Sequence, residues 1–346
     1  MSATPPHLLL ATIDAQLAQH SGYHLLAKYL PHGESLTAPR RDPAGGWRRL
    51  AAGAARRAAF TRWYLGGCAE LEWRAWRRLR RGFDGVVHYL WCDRDLGFLD
   101  LLLDTRRHRL VATVHNCADQ LPDVIRHPQR LRRAAAIILM SETQRAFFRG
   151  AGVPDARLHF LPHGVDTAFF TPPPARPVEE FVALSVGGYR RNFALLREVC
   201  AALASTPRLR FEIVGPAAVA EKFRDLPNVR FFSGLDDAAL LARYRSASCL
   251  LHIAEQATAN NVLLEALACG LPVVSERVGG IPEYVDASCA LLSDTGAGGQ
   301  IIGALRRLAE SPALQSELGS AARGRAEALA WPKIAARTME LYQSLA

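Results

Sequence analysis

The chain has 346 residues, of which 49% are hydrophobic, and a formal net charge of +9 at pH 7. This size and composition exclude a disordered chain or a small disulfide-stapled domain, and they favour two globular domains. No apolar run reaches the roughly 18 residues that span a bilayer, so we expect a soluble, cytoplasmic protein. The seven cysteines are scattered and form no CxxC pair, which indicates neither a disulfide framework nor a cysteine metal site.

Predicted strands and helices alternate through the first half of the chain. An apolar strand is followed by Gly22 and by helical spacing up to Leu30. Alternation of this kind predicts a parallel sheet whose ligand-binding loops gather at the carboxyl ends of the strands. His115 lies at such an end, either as a group that contacts substrate or as a structural histidine, and Gly22 either admits a ligand or forms a turn. The strands are predicted at His7–Ile13, Asp84–Trp91, Leu110–His115 and Ala134–Met140.

Residues 40–81 are rich in arginine, with four tryptophans interleaved. On helices this pattern would form a cationic face bordered by aromatic rings, suited to an anionic membrane surface or to an acidic acceptor. A solvated helix face is the equally weighted alternative. We expect no nucleic acid partner, because the sequence contains no recognition module for one.

The second half begins after a proline-rich stretch at 171–180, which predicts a stiff connector. A strand at Phe181–Val186 leads to Gly187-Gly188 and then to Arg190 and Arg191. Two arginines just beyond a strand and a glycine pair are suited to a diphosphate, because guanidinium groups match phosphate oxygens. Arginines exposed at a helix start are the alternative interpretation.

Further strands are predicted at Leu209–Gly215, Val229–Gly234 and Ala247–Ile253, followed by a helix from Val262 to Cys269. The backbone N–H groups of Asn261 and Val262 would then form an anion-attracting helix N-terminus, capped by Asn260 or Thr258. Glu265 lies one turn in, where a carboxylate can accept hydrogen bonds from sugar hydroxyls. The chain closes with an amphipathic helix at Trp331–Leu345.

The sequence LEALACGLPVV at 264–274, followed by GGIPE at 279–283, closely resembles the donor-site signature of retaining glycosyltransferases of the family-four type. The resemblance implies an α/β protein of GT-B architecture, with two Rossmann-like doubly wound domains facing a cleft. It implies an N-terminal domain at 1–170, a linker at 171–180 and a nucleotide-sugar domain at 181–330. A final helix at 331–346 would pack back on the first domain.

The resemblance also implies the reaction, which is transfer of a sugar from a nucleotide-diphosphate donor to a glycan or lipid-linked acceptor, with retention of anomeric configuration. No cofactor is implied, and we expect no metal because Asp236-Asp237 lies outside the context of a metal-binding DxD pair. A position at the inner face of the membrane is compatible with residues 40–81. The catalytic residues implied are His115, Arg190 and Arg191, and the donor-binding residues are Gly22, Gly188, Gly215, Leu235, Asn260, Asn261, Val262 and Glu265.

One departure from the family pattern concerns the donor sugar. The family signature has two glutamates. The second, which contacts the ribose of the nucleotide, matches Glu265, whereas the position of the first, which contacts the donor sugar, is occupied by Ala257. Two alternatives to an ordinary transferase therefore stay open. One is a protein that binds a nucleotide sugar without turnover, and the other is an enzyme of the same architecture with epimerase or phosphorolytic activity.

Overall fold

The computed structural model describes residues 6–13, 19–31, 33–41, 53–175 and 179–345. The chain divides into two compact units. Unit 1 comprises Met1–Leu17, Gly22–His163 and Trp331–Ala346, and unit 2 comprises Ala18–Ser21 and Gly164–Ala330. Residues 42–52 of the arginine-rich stretch and 176–178 of the proline-rich stretch lie outside the described residues.

Unit 1 contains a six-stranded parallel sheet with the order β2-β1-β3-β4-β5-β6. The inner strands are nearly continuous apolar runs, as expected when helices cover both faces of a parallel sheet. All four residues of β5, for example, are buried. The strands are β1 His7–Ile13, β2 Gly33–Pro39, β3 Gly85–Tyr89, β4 His108–Val114, β5 Ala136–Leu139 and β6 Leu158–Phe160.

Among the described residues before 164, the longest helix is α1, Gly66–Arg80, which buries Leu71, Ala75 and Leu79 in the core of unit 1. Short α-helices follow at α2 Cys92–Asp95, α3 Leu99–Leu102, α4 Leu121–Val124 and α5 Arg145–Gly150, and 3-10 helices lie at Tyr23–Lys28, Pro128–Arg133, Glu142–Gln144 and Asp155–Arg157. Residues 53–58 are also helical.

Unit 2 contains a second six-stranded parallel sheet, with the order β12-β11-β10-β7-β8-β9. The chain builds one half of this sheet outward from β7 through β8 to β9, and the other half from β10 through β11 to β12. This is the double winding of a dinucleotide-binding fold. The chain reverses its direction of travel across the sheet between β7 and β10, and the carboxyl ends of those strands form the topological switch point. The strands are β7 Phe181–Val186, β8 Leu209–Val214, β9 Val229–Phe232, β10 Cys249–His252, β11 Val273–Glu276 and β12 Ala290–Ser293.

The helices of unit 2 enclose a core built from β7, β8, β10 and their neighbours. They are α6 Phe193–Ala202, a 3-10 helix at Ala217–Phe223, α7 Asp237–Ser246, α8 Asn261–Ala268, α9 Ile281–Tyr284, α10 Gly298–Glu310 and α11 Pro312–Ala328. The closing helix α12, Trp331–Ser344, belongs to unit 1, where Tyr342 Oη lies 2.6 Å from His88 Nδ1.

The two Rossmann-like domains predicted from the sequence are confirmed, and most predicted strands have the observed bounds within two residues. The segment expected to be helical from Gly22 to Leu30 forms a 3-10 helix at Tyr23–Lys28. Strands β2, β6 and β12, which all lie at sheet edges, were not predicted. The residues of β2 are mostly exposed, so they lack the apolar run by which the inner strands are recognised, and β6 and β12 have only three and four residues.

Candidate functional site

The loop after β7 is tied to the end of β10 at the switch point of unit 2. Arg191 forms an isolated antiparallel bridge with Ala254, and the Glu255 N–H donates to the Arg190 carbonyl at 2.9 Å. Arg190 has a φ of 52°, a left-handed conformation that is unfavourable for a side chain and is maintained here by these bonds. The two arginines predicted from the sequence are therefore fixed at the edge of the sheet where ligands bind in this fold.

Arg191 is a buried cation, 8% exposed. Its Nε donates to the Val186 carbonyl at 3.0 Å, and burial lowers its pKa to about 10. Within the described part of the chain, no Asp or Glu forms an ion pair with it. Removing a charge from water is costly unless a partner compensates it, so this arrangement favours an anionic ligand.

Two glycine turns meet beside the arginines. A Cβ on Gly188 would lie 2.5 Å from Pro216 Cγ, and one on Gly215 would lie 3.5 Å from the Gly187 carbonyl oxygen. Gly188 therefore cannot carry a side chain without moving Pro216. The structure brings Gly188 and Gly215 together, as a shared ligand contact requires, while Leu235 lies partly buried in the loop between β9 and α7.

Helix α8 begins at Asn261, and Asn260 caps it through a long hydrogen bond of 3.4 Å from the Leu263 N–H. Thr258, the other cap considered, is buried in the preceding loop. The cap leaves the N–H groups of Asn261 and Val262 without a hydrogen-bond acceptor among the described residues. They provide donors and a positive dipole end for an anion.

Glu265 is buried and both of its carboxylate oxygens have partners in unit 2. Tyr244 Oη donates to Oε2 at 2.8 Å, and Ser21 Oγ donates to Oε1 at 2.5 Å. Burial raises the pKa of Glu265, and the two hydrogen bonds oppose that shift. A ligand hydroxyl that reaches this carboxylate must therefore share Oε1 with Ser21 or displace it.

The loop that precedes α8 packs directly on the Gly279-Gly280 turn. Gly279 has a φ of 53°, and a Cβ there would lie 2.1 Å from the Ala257 carbonyl oxygen. The Gly280 N–H donates to that same oxygen at 2.9 Å. Ala257 is 5% exposed, and its methyl group provides no polar atom at the position where the signature has a glutamate.

The two remaining candidates, His115 and Gly22, lie in unit 1. The Nε2 of His115 contacts the Leu90 carbonyl at 2.8 Å, which identifies it as the protonated nitrogen, and burial lowers the pKa of His115 to about 3. The ring of Tyr23, which directly follows Gly22, lies 4.8 Å from that of His115. His115 is thus a neutral hydrogen-bonding group at pH 7, placed near the glycine turn.

Sequence reasoning missed three polar residues beside these candidates. Asp93 Oδ2 accepts hydrogen bonds from the N–H groups of His115 and Asn116, and it fixes the loop after β4. Tyr244 and Ser21 hold Glu265. Asp93 follows an apolar strand, and that position could have identified it from the sequence. The partners of Glu265 come from other parts of the sequence, and no pattern in the sequence identifies them.

Comparisons with known proteins relate both halves of the chain to glycosyltransferases. Residues 180–311 match the family described as Glycosyl transferases group 1, and residues 35–169 match Glycosyltransferase Family 4. The MMP alpha-(1->4)-mannosyltransferase of Mycolicibacterium hassiacum is 31% identical over 207 residues, which cover 54% of this chain and 48% of that enzyme. The D-inositol 3-phosphate glycosyltransferase of Kineococcus radiotolerans is 28% identical over 323 residues, 77% of this chain and 73% of that one.

The first of these relatives is thus matched over about half of its length. Among solved structures, the sucrose-phosphate synthase of Thermosynechococcus elongatus superposes with a TM-score of 0.73 at 20% identity, covering 98% of both chains. Anabaena HepE in complex with UDP superposes with a TM-score of 0.69 at 14% identity, covering 98% of this chain and 99% of that one. At these identities the superpositions show the GT-B fold. With its two halves matched by the two family descriptions, the chain belongs to the group 1, family-four type of glycosyltransferases.

Proposed function

We propose that the protein is a glycosyltransferase that moves a sugar from a nucleotide-diphosphate donor to an acceptor. The buried guanidinium of Arg191, uncompensated by a carboxylate among the described residues, is the observation that carries this proposal. A diphosphate supplies the missing negative charge. HepE is described in complex with UDP and with UDP-glucose, which supports a donor of this class.

The proposed roles follow from charge development during transfer. Arg190, Arg191 and the N–H groups of Asn261 and Val262 stabilise the diphosphate as it leaves, and fixed donors of this kind lower the barrier without a metal. Gly188 has no side chain, so the diphosphate can approach the backbone there. Gly215 and Leu235 contact the nucleotide, and Asn260 caps the start of α8. Glu265 accepts hydrogen bonds from the ribose.

His115 and Gly22 are proposed to act from unit 1. Because burial keeps the pKa of His115 near 3, the ring is neutral and serves as a hydrogen-bonding group on the sugar rather than as a base that titrates near pH 7. Gly22 would admit the donor beside it. The proposed reaction retains anomeric configuration.

The acceptor is proposed to be an anionic or lipid-linked glycan, presented at a membrane surface that residues 40–81 contact from the cytoplasmic side. The names of two relatives support an acceptor with a phosphate. One is a D-inositol 3-phosphate glycosyltransferase, and the other belongs to a phosphatidylinositol N-acetylglucosaminyltransferase. In the described residues, no helix combines the length and apolarity that a membrane crossing requires.

Titration calorimetry with UDP, GDP and ADP tests the donor proposal. We expect one nucleotide diphosphate to bind in the micromolar range, in the presence of a chelator, and to bind much more weakly to Arg191→Met. Absence of binding by all three nucleotides in the intact protein would refute the proposal.

Ala257 favours a second candidate, a protein that binds the nucleotide sugar without transferring it. Its buried methyl group offers no hydrogen bond to the sugar. Incubation with a panel of nucleotide sugars and cell-derived acceptors separates the two candidates. Binding without release of the free nucleotide diphosphate, for every donor and acceptor, would favour the second.

A further inference from the structure

His252 is the last residue of β10, at the topological switch point of unit 2, and the donor proposal does not use it. The strand is otherwise apolar, with the sequence CLLH, and His252 is only 1% exposed. A buried imidazole is unfavourable unless its ring nitrogens find partners. The surroundings of the two nitrogens therefore indicate what the residue does at the sheet edge where ligands bind in this fold.

One ring nitrogen of His252 is fixed by β11. Nδ1 lies 3.2 Å from Ser275 Oγ, and the two residues are direct partners in the pairing of β10 with β11. The Ser275 hydroxyl has one proton, which it donates to the His252 carbonyl at 2.8 Å, the closer of its two carbonyl acceptors. Nδ1 must therefore donate to Oγ and carry the ring proton, and Nε2 of the neutral ring is an acceptor.

The other ring nitrogen, Nε2, is buried and has no hydrogen-bond partner among the described residues. A buried acceptor in this position loses its bond to water and gains none in return. Native proteins leave few such groups, and those that occur commonly belong to functional sites. A donor that can satisfy Nε2 is therefore the natural object of search around His252.

The carboxyl ends of β7 and β10 are neighbours in the sheet, and these ends are Val186 and His252. Arg191 is tied to both ends, because its Nε donates to the Val186 carbonyl at 3.0 Å and its backbone bridges to Ala254, just beyond β10. Burial holds the pKa of His252 well below its ordinary value of 6.5, and the charge of Arg191 lowers it further. His252 is thus a neutral ring at pH 7 beside a buried cation.

A neutral imidazole is a suitable neighbour for a cation that must bind an anion. The Arg191 guanidinium has two Nη groups besides the Nε that binds Val186, and each carries N–H donors. The lone pair of Nε2 is the negative end of the imidazole dipole, so it stabilises and directs a guanidinium, whereas a carboxylate would also cancel its charge. Hydrogen bonds of catalytic groups commonly tighten only when substrate binds.

We propose that His252 is a positioning residue of the donor site, which accepts a hydrogen bond at Nε2 from an Nη of Arg191 and so holds the guanidinium against the diphosphate. The inference rests on the proposed glycosyl transfer, but the two can fail separately. Absence of nucleotide diphosphate binding by the intact protein refutes the transfer. The role of His252 is decided by comparison among variants of a protein that binds.

The variants are compared by calorimetry with whichever of UDP, GDP and ADP binds the intact protein most tightly. His252→Met removes the acceptor at similar volume and should weaken binding about tenfold, as the loss of one hydrogen bond to a charged group predicts. His252→Gln, whose amide oxygen can take the place of Nε2, should recover most of the affinity. Unchanged binding by His252→Met would overturn the proposed role.

A double-mutant cycle distinguishes positioning from a general structural effect. In the Arg191→Met background, His252→Met should cause no further loss of nucleotide binding, because His252 acts through Arg191. NMR titration measures the weak binding of these variants. A further tenfold loss in the double variant would overturn the proposal, since His252 would then act independently of Arg191.

The matched control is Asn228, another buried polar residue of unit 2 whose Oδ1 has no hydrogen-bond partner among the described residues. It precedes β9 and so lies at the amino end of the strand, away from the edge where ligands bind. Asn228→Leu should leave nucleotide binding unchanged. Equal weakening by Asn228→Leu and His252→Met would overturn the proposal, and melting temperatures establish that each variant remains folded.

Nitrogen NMR of the intact protein, labelled at histidine, gives a second measurement that needs no folded variant of the site. At pH 7 the Nε2 resonance of His252 should be that of an unprotonated nitrogen, and it should move to lower frequency as the nucleotide is added and Nε2 accepts the new bond. An Nε2 resonance that stays unchanged at saturating nucleotide, or that is protonated throughout, would overturn the proposal.

Discussion

Tyr244 Oη donates a hydrogen bond to Glu265 Oε2 at 2.8 Å, and Arg191 lies close enough to the same tyrosine to interact with it electrostatically. One buried phenol thus interacts with both the carboxylate proposed for the ribose and the cation proposed for the diphosphate. If Tyr244 aims Glu265 at the ribose, its loss should weaken only the ribose contribution to binding.

We therefore expect Tyr244→Phe to weaken binding of the preferred nucleotide diphosphate about tenfold, as the loss of one hydrogen bond to a buried carboxylate predicts. Binding of the 2′,3′-dideoxy analogue should change little, because that analogue has no ribose hydroxyls for Glu265. Calorimetry with both nucleotides gives the comparison. Equal weakening for the two would assign Tyr244 a purely structural role. Tyr342→Phe, a buried tyrosine of unit 1, is the control.

Replacement of Arg191 by methionine should affect binding and stability in opposite directions. Without ligand, removal of a buried cation that has no acidic partner among the described residues should leave the melting temperature unchanged or higher. Transfer activity should fall roughly 100-fold or more, as observed when a donor to a developing negative charge is lost. Calorimetric melting and nucleotide release measure the two effects. A lower melting temperature with normal activity would contradict the proposed role, and Arg197→Met, at the surface, is the control.

Ala257→Glu should change the donor preference, because it restores the carboxylate that the family signature places on the sugar. We expect the ratio of kcat/KM values between hexose donors to shift by about tenfold, the effect of one hydrogen bond to a charged group. The variant Ala257→Gln introduces a side chain of similar size without the charge, so it distinguishes the effect of charge from the effect of size. Unchanged ratios across a donor panel would show that this loop does not contact the sugar.

Glu72 should be critical for the stability of unit 1. Its carboxylate accepts hydrogen bonds from the N–H groups of Gly97 and Leu99 and from the hydroxyl of Tyr89, among others, and it is 6% exposed. Glu72→Ala should lower the free energy of unfolding by about 3 kcal/mol or more, since several buried donors lose their acceptor. Chemical denaturation checks this. Glu70→Ala, on the exposed side of the same helix, should change stability little.

The two buried histidines His88 and His115 should each contribute less to stability as the pH is lowered from about 6.5. Burial lowers the pKa of His88 and of His115 to about 3, whereas both titrate near 6.5 in an unfolded chain. Between these values the unfolded state binds more protons, so the stabilisation is complete above pH 6.5 and declines toward pH 3 by up to about 1.4 kcal/mol per pH unit for each histidine. Denaturation across this range tests the slope, which His88→Gln should make shallower.

The positions of the candidate residues of unit 2 in the fold were largely predictable, because these residues lie close together in the sequence. Gly188, Arg190 and Arg191 follow one strand, and Asn260 and Glu265 frame one helix, so their spacing carries the pattern. Contacts across long sequence separations were not predictable. Ser21 lies 244 residues from Glu265 in the sequence and Tyr244 lies 21 residues from it. Hydrophobic periodicity does not indicate which residues form such contacts.

The presence or absence of a local sequence pattern also explains which strands were predicted. Apolar runs identified β3, β4 and β7, whereas the exposed edge strand β2 gave no such signal. The predicted domain limits and the roles assigned to all of the candidate site residues stay predictions, because they concern a ligand and an arrangement of domains.

The contact between Gly279 and the Ala257 carbonyl constrains how the protein can acquire a new donor. With 2.1 Å between that oxygen and an added Cβ, position 279 accepts no side chain unless the loop before α8 moves. Under the proposed function, we therefore expect changes in sugar selectivity to arise from exchange of side chains in this loop rather than from substitution of Gly279. Engineers who seek a different donor should mutate residues 256–258 and leave the loop length and both glycines untouched.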